Sequence, residues 1–257
     1  MTGSADGTTA VGRFLILGQP RSGTTLVQTL VNSHPACHCR GEMFDPWQID
    51  DDGAKDKRLD AVRARDRDPA GFIAAMLSEQ AAAERGVRWI GAKILFQHNP
   101  RLLDTIIPAH PDWHLVLVGR PNKLAQFASL AQVRRTGRWV DTEGDAAPPR
   151  IAPDPRYAMS ECNRLENEDF LLRAWVERLP NPHLVLSYAE AATGAAEARL
   201  RAFLGLGEGA PLTTPLRRQG QPVILDRFEN RDEIAAHFTE SGRADWFGAE
   251  VGAAGAA

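Results

Sequence analysis

The chain has few cysteines and lacks any apolar stretch long enough to cross a bilayer. Three cysteines in 257 residues cannot form a disulfide framework, and an odd count fits a reducing compartment. A membrane-spanning helix needs about 20 consecutive apolar residues, and no run in the sequence approaches that length. The sequence therefore predicts a protein without an integral membrane segment, and we expect it in the cytoplasm.

An excess of charge of either sign is also missing. Thirty basic and 33 acidic side chains give a formal net charge of −3, which argues against a dedicated nucleic-acid binder. Lysine is scarce, because it accounts for four of the 30 basic side chains and the other 26 are arginines. Arginine suits bidentate recognition of phosphate or sulfate, although coding bias in an Ala-rich chain explains most of the excess. One small anionic ligand is compatible with these counts.

Short apolar runs alternate with longer segments of helical spacing. The runs lie at residues 14–17, 89–94, 114–118 and 183–187. They are short and rich in Val, Ile and Leu, as buried strands are. Helical stripes of apolar residues lie between them, for example at 26–31 and 171–179. This alternation predicts an α/β fold of three layers, with a central parallel sheet flanked by helices.

The most informative segment is residues 18–25, between the first apolar run and a helical stripe. A strand, a Gly-bearing loop and a helix N-terminus form an anion cradle, because the first N–H groups of a helix have no internal partners and its dipole favours negative charge. The spacing of the two glycines matches a nucleotide-triphosphatase P-loop, and Thr25 occupies the metal-binding hydroxyl position. Thr24 replaces the lysine of that motif, and the cation is Arg21 instead. The pattern predicts a P-loop-like fold. Its loop should bind a ligand with fewer phosphates than a nucleoside triphosphate.

The stretch Pro-Arg-Ser-Gly-Thr-Thr at 20–25 resembles the 5′-phosphosulfate loop of sulfotransferases that use 3′-phosphoadenosine 5′-phosphosulfate (PAPS). With Asn-Ser-His-Pro at 32–35 and Gly-Glu-Met-Phe at 41–44, the region is similar to the bacterial branch that contains the trehalose and nodulation-factor sulfotransferases. The resemblance implies transfer of a sulfuryl group from PAPS to a hydroxyl of a small-molecule, carbohydrate or lipid-linked acceptor. The product nucleotide is 3′-phosphoadenosine 5′-phosphate (PAP), no metal is required, and a homodimer is compatible with the branch.

Two further basic elements carry the same resemblance. Arg120 follows a predicted strand and Ser129 lies in the next predicted helix, where the family clamps the 3′-phosphate; an arginine fork and a short hydroxyl suit a dianionic phosphate. These residues are nine apart, whereas eight is the usual spacing. A weaker element contains Arg217 and Arg218, whose family counterparts close over the nucleotide. On the residues alone, these two arginines are equally an exposed pair on a loop.

The resemblance assigns Arg21 the role of the catalytic cation, and its role is electrostatic because arginine is a poor proton donor. The implied nucleotide-binding residues are Arg21, Ser22, Gly23, Thr24, Thr25, Arg120, Ser129, Arg217 and Arg218. Two other functions remain open. A P-loop kinase is disfavoured because position 24 lacks lysine, and a non-catalytic nucleotide-binding protein is disfavoured by the intact basic and hydroxyl positions.

Two residues are candidates for the general base that removes the acceptor proton. Glu42 lies where the trehalose-type enzymes place a catalytic carboxylate, and His98 follows a predicted strand near the position of the histidine in the animal and plant branch. A histidine has a suitable pKa without tuning, whereas Glu42 needs partial burial. We favour Glu42 on the better local match. The structural alternatives are a salt bridge between Glu42 and Arg40, and a capped loop at His98.

We expect a single domain over residues 12–250, with a flexible lead-in at 1–11 and a disordered tail at 251–257. Residues 141–163 interrupt the alternation, because four closely spaced prolines exclude a helix or a central strand. Such a long loop is either functional, here a lid or acceptor-site wall, or a tolerated surface insertion.

Overall fold

A computed structural model describes residues 11–51, 53–140, 148–217 and 220–251 of the chain. The strands in these residues are β1 Gly12–Gly18, β2 Cys37–Arg40, β3 Ile49–Asp51, β4 Ala54–Asp56, β5 Trp89–Leu95, β6 His114–Gly119 and β7 His183–Ser187. Five of them form one parallel sheet in the order β2-β5-β1-β6-β7, and β3 and β4 form a separate antiparallel hairpin. The four strands predicted from the apolar runs are confirmed. The edge strand β2 was not predicted, because its Cys-His-Cys-Arg sequence has no apolar run.

The α-helices of the described residues lie between the strands along the chain and after the last strand. They are α1 Thr24–Asn32, α2 Leu59–Arg67, α3 Pro69–Met76, α4 Glu79–Arg85, α5 Lys123–Thr136, α6 Pro155–Val176, α7 Tyr188–Ala192, α8 Glu197–Phe203 and α9 Arg231–Glu240. None of the helices in these ranges has the length and apolar character that a bilayer crossing requires.

Strand β1 is central in the sheet and is buried on both faces. Phe14 and Ile16 pack on one face against α1 and α8, where Val27 and Leu200 are fully buried. Leu15 and its alternate neighbours point to the other face, which α3, α4 and α6 cover. A parallel strand that is covered on both faces carries apolar residues at consecutive positions, which explains the run that the sequence shows. The three-layer α/β fold is confirmed.

All five strands of the sheet end at the same edge, because they are parallel. The residues that follow these carboxyl ends are the chemically distinctive ones of the chain, since β1 leads to Arg21, β2 to Glu42, β5 to His98, β6 to Arg120 and β7 to Tyr188. Ligands of open α/β sheets bind in the crevice outside the carboxyl ends of the strands. The fold therefore concentrates the candidate residues at one edge.

The segment at 141–163 is shorter as a loop than the sequence predicted. Residues 141–147 lie outside the described residues, and α6 begins at Pro155. Asp154 caps this helix by accepting hydrogen bonds from two N–H groups of its first turn. The predicted loop is therefore wrong over residues 155–163, because an Asp cap followed by a proline at the first position starts a helix rather than excluding one. The role of a lid stays a prediction.

The C-terminal part of the chain packs beside α5 and α6. Ile224, Phe238 and Trp246 are buried in a third apolar cluster with residues of those two helices. Val251 is 5% exposed, and Val11 packs partly buried against the main core. Both residues therefore belong to the packed domain and not to the predicted lead-in and tail, of which residues 1–10 and 252–257 lie outside the described ranges.

Candidate active site

The loop between β1 and α1 has a backbone suited to holding an anion. Gly23 has φ 103° and Arg21 has φ 63°, and Arg21 is the one residue other than glycine with a positive φ in the described part of the chain. A Cβ at Gly18 would lie 2.7 Å from the Val118 carbonyl oxygen, so the loop and β6 approach closely only because Gly18 has no side chain. The loop delivers the chain to the N-terminus of α1, whose first N–H groups have no carbonyl partner in the helix.

A cleft opens beside this loop, and most of the predicted nucleotide-binding residues line it. Those that line it are Arg21, Gly23, Thr24, Thr25, Arg120, Ser129 and Arg217. Ser22 is not among the lining residues, because its side chain is fully buried and its N–H donates to the Gln19 carbonyl at 3.2 Å. Arg218 lies outside the described residues. The structure thus brings the predicted loop, the β6 end and the C-terminal basic segment around one cleft.

The side chain of Arg21 turns toward α5. Its Nε donates to Ser129 Oγ at 3.0 Å, and its Nη1 donates to the Trp139 carbonyl at 2.5 Å. Burial and the neighbouring charge of Arg120 lower the pKa of Arg21 to about 10, so its guanidinium is still charged at neutral pH. Arg21 and Ser129, which the sequence placed at opposite ends of the ligand, are therefore in direct contact.

All three nitrogens of the Arg120 guanidinium donate hydrogen bonds, and its face lies against an aromatic ring. Its Nε and Nη2 donate to the two carboxylate oxygens of Glu250 at 2.8 and 2.5 Å, and its Nη1 donates to the Arg21 carbonyl at 3.0 Å. The guanidinium carbon lies 4.4 Å from the centroid of the Tyr188 ring. Arg120 therefore holds the backbone of the loop at the residue with the left-handed conformation.

A chain of buried polar groups supports the loop from below. Gln126 in α5 donates from Nε2 to the Pro20 carbonyl at 2.9 Å and to Gln19 Oε1 at 3.0 Å. Lys123 Nζ donates to Gln126 Oε1 at 3.2 Å and also contacts Asp169 of α6. Both Gln126 and Lys123 are at least 98% buried. Because buried polar groups are costly to leave unpaired, this set fixes the loop relative to α5 and α6.

Glu42 forms a group with Lys93 and His98 that contacts Thr25 through Lys93, and these three residues are not among those that line the cleft. Lys93 Nζ lies 3.0 Å from Glu42 Oε1 and donates to Thr25 Oγ1 at 2.8 Å, and His98 Nε2 lies 3.6 Å from Glu42 Oε2. Burial raises the pKa of Glu42, but the interactions with His98 and Lys93 outweigh burial and lower it to about 2. The partner of Glu42 is therefore Lys93 and not Arg40, which instead pairs with Asp51.

Three residues of this region were missed by the sequence analysis. Lys93 is 5% exposed in the middle of the sheet, and a lysine inside an otherwise apolar parallel strand is a signal that could have found it. Tyr188, whose ring lies against the Arg120 guanidinium, depends on a tertiary contact that the sequence does not indicate. Glu250 had no local signal, because its importance depends on packing that brings it to Arg120.

An α/β protein with an anion-binding loop and several arginines at the carboxyl edge of a parallel sheet belongs to the broad class of P-loop-like proteins. The family model described as "Sulfotransferase family" matches residues 13–172, more than half of the chain, and the chain belongs to this family. The protein is therefore an enzyme of sulfuryl transfer, and the family implies PAPS as its donor.

Curated relatives agree with this assignment. The chain is 27% identical to nodulation protein H of Rhizobium tropici over 246 residues, which cover 91% of this chain and 92% of that protein. It is 30% identical to nodulation protein H of Rhizobium meliloti (strain 1021) over 166 residues, covering 62% and 63% of the two chains. The predicted resemblance to the nodulation branch is confirmed. Among solved structures, the sulfotransferase domain from the curacin biosynthetic pathway matches with a TM-score of 0.46 and 13% identity, over 88% of this chain and 82% of that one.

Proposed function

We propose that the cleft binds PAPS with its 5′-phosphosulfate on the loop at residues 19–25 and its 3′-phosphate at Arg120 and Ser129. One observation carries this proposal: two groups suited to an anion, the loop with its helix N-terminus and the side chains of Arg120 and Ser129, line the same cleft. A nucleotide with phosphates on both sides of its ribose needs two such groups. Arg217 lines the same cleft and adds a third positive charge.

Arg21 supplies charge stabilisation in this proposal. The acceptor oxygen attacks sulfur, the bond between sulfur and the bridging oxygen breaks, and its electron pair stays on the 5′-phosphate of PAP. A guanidinium beside that oxygen stabilises the growing negative charge. Arg21 donates to Ser129 Oγ in the structure. The reaction therefore requires Arg21 to turn from Ser129 toward the 5′-phosphate, and Ser129 is then free to bind the 3′-phosphate.

Glu42 accepts the acceptor proton in this proposal, and His98 orients it. His98 Nδ1 accepts a hydrogen bond from the Leu95 N–H at 3.2 Å, so the proton of the neutral ring is on Nε2, which faces Glu42. Such a ring has no free basic nitrogen. Glu42 is ionised at neutral pH because its pKa is about 2. An anionic sulfuryl group near Thr25 would attract Lys93, and the loss of that partner raises the basicity of Glu42.

We propose a hydroxyl-bearing acceptor of the small-molecule, carbohydrate or lipid-linked kind, because a carboxylate base with a neighbouring histidine suits removal of a hydroxyl proton. Cytoplasmic location stays part of the proposal, and it is supported by the three cysteines, which are buried and form no disulfide. A homodimer is a prediction that light scattering of the purified protein tests.

Thermal unfolding in the presence of nucleotides tests the assignment of the cleft. PAP should raise the Tm more than AMP at equal concentration, because only PAP reaches both anion-binding groups. The Arg120→Met variant should lose this difference, whereas Arg134→Met, which changes an exposed arginine on α5, should keep it. Equal stabilisation of the wild type by AMP and PAP would contradict the 3′-phosphate subsite. Stabilisation by magnesium-ATP alone would favour the kinase alternative.

A further inference from the structure

Arg120 lines the cleft and already holds a carboxylate from the same chain. Glu250 accepts from both Nε and Nη2 of Arg120, which is the bidentate geometry of an arginine with an oxyanion. Both side chains are 6% exposed, so the pair is shielded from water. If one partner of a buried ion pair leaves, the charge of the other is left uncompensated unless another ion replaces it.

Glu250 comes from a short segment that crosses the start of α5. Asn122 donates to the Trp246 carbonyl at 2.9 Å, the Ile224 N–H donates to the Phe247 carbonyl at 3.1 Å, and Ala249 forms an antiparallel bridge with Val223. The segment 246–249 is thereby fixed. Glu250 is the first residue beyond these attachments, and the next residue, Val251, lines the cleft. The carboxylate can therefore leave Arg120 while the rest of the segment stays in place.

A 3′-phosphate and the Glu250 carboxylate use the same donors. The Nε and Nη2 groups of Arg120 form a single fork, and the third nitrogen, Nη1, donates to the loop backbone at Arg21. A phosphate dianion carries more charge than a carboxylate and offers more acceptor oxygens, so it is the stronger partner for the fork. AMP has no 3′-phosphate and leaves the fork with Glu250.

We infer that Glu250 is a specificity-determining residue, which competes for the 3′-phosphate subsite of Arg120 and is displaced by nucleotides that carry a 3′-phosphate. The inference rests on the proposed function, because it takes Arg120 as the 3′-phosphate residue. A ligand of this subsite must therefore carry a 3′-phosphate, and that group must bind Arg120 more strongly than Glu250 does. A nucleotide without the 3′-phosphate gains nothing from Arg120, and anions that bind more weakly than the carboxylate are excluded from the subsite.

Calorimetric titration of PAP and AMP into Glu250→Gln tests the inference. A glutamine keeps the shape of the side chain and removes the charge that competes with phosphate. We expect PAP to bind about tenfold more tightly to Glu250→Gln than to the wild type, while the affinity for AMP is unchanged. The control is Glu166→Gln, which removes the partner of Arg243 in an ion pair between α6 and the C-terminal segment. It should leave both affinities unchanged.

Two results would overturn the inference. Weaker PAP binding in Glu250→Gln would mean that Glu250 orients Arg120 for the nucleotide, and equal gains for PAP and AMP would mean a general effect of charge. Crystal structures of the wild type with PAP and with AMP give a second readout: the Glu250 carboxylate should have left Arg120 in the PAP complex but not in the AMP complex, and an intact Arg120–Glu250 pair with PAP counts against displacement. The Arg120→Met variant distinguishes failure of the inference about Glu250 from failure of the proposed 3′-phosphate subsite. If its PAP and AMP affinities keep the wild-type ratio, the proposed subsite itself is wrong.

Discussion

Arg21 has a left-handed backbone conformation, which a residue with a Cβ seldom adopts and which costs on the order of 1–3 kcal/mol. The neighbouring contacts hold it there, since its carbonyl accepts from Arg120 and its side chain donates to Ser129. The sequence analysis identified these three residues and expected two separate roles. Their direct contact was not predictable, because it depends on a side-chain direction that the loop backbone sets.

Substitution of Arg21 and of Ser129 should separate turnover from nucleotide binding. Arg21→Ala should lower kcat by about 10²–10³-fold with little change in the KM for PAPS, because its charge acts on the departing oxygen. Ser129→Ala should mainly raise the KM for PAPS, because it removes a proposed ligand of the 3′-phosphate. Initial rates at varied PAPS concentration measure both. The reverse pattern would contradict the division of roles.

His98 and Lys93 together lower the pKa of Glu42, and a pH profile should reveal the part that Lys93 plays. Lys93 helps to lower the pKa of Glu42 to about 2, so the wild type keeps an ionised carboxylate into acid solution. In Lys93→Met the pKa of Glu42 should rise, and the acid limb of kcat/KM should move to higher pH. Lys55→Met, which changes an exposed lysine, serves as the control and should keep the wild-type profile. An unchanged acid limb in Lys93→Met would mean that Glu42 is not the titrating base.

At the scale of elements, the sequence predicted the structures that local chemistry determines. The apolar runs identified β1, β5, β6 and β7, and the glycine spacing identified the loop and α1. Strand β2 was not predicted, because an edge strand needs no continuous apolar run and its pairing with β5 is a tertiary contact. Asp154 before Pro155 is a helix-start signal, and it could have predicted the beginning of α6. The four closely spaced prolines were instead taken to exclude any helix.

Helix α5 supports the loop between β1 and α1 through Gln126, and this support should be measurable. Gln126→Leu removes the donor to the Pro20 carbonyl and leaves Lys123 with one fewer acceptor. We expect a loss of about 1–3 kcal/mol in the free energy of unfolding, together with a higher KM for PAPS. Urea denaturation and initial rates measure the two effects. Gln80→Leu, on the exposed end of α4, is the matched control and should change neither.

At the scale of the whole molecule, the site is assembled from distant parts of the chain. Arg21, Arg120 and Glu250 meet in one contact group although more than 90 residues separate each from the next. The parallel sheet makes this possible, because it brings the ends of all five strands to one edge. The sequence could therefore single out the loop after β1 and the residues after β6 separately, whereas the contact of Glu250 with Arg120 follows only from the packing of residues 246–251.

The ion pair of Glu42 joins the end of β2 to β5 and should make folding stability depend on pH. The pKa of Glu42 is lowered in the folded protein from 4.5 to about 2, so its stabilising effect is complete above pH 4.5 and is lost as the pH falls toward 2. Between pH 5 and pH 3 the wild type should lose roughly 2 kcal/mol more than Glu42→Gln. Urea denaturation at the two pH values measures this difference. Glu208→Gln, an exposed change, should follow the wild type, and a parallel loss in Glu42→Gln would contradict the assigned pKa.

The Arg120–Glu250 pair also bears on how the spent nucleotide leaves. PAP carries the same 3′-phosphate as PAPS, so a subsite that holds the donor tightly would also retain the product. Glu250 remains tethered next to Arg120 by the segment that ends at Ala249, and a tethered group acts at an effective concentration of about millimolar or more. Each time the phosphate loosens, the carboxylate is in position to take back the fork. On the proposal that Glu250 competes with the 3′-phosphate for Arg120, the enzyme carries its own displacing anion, and PAP should leave the wild type faster than Glu250→Gln.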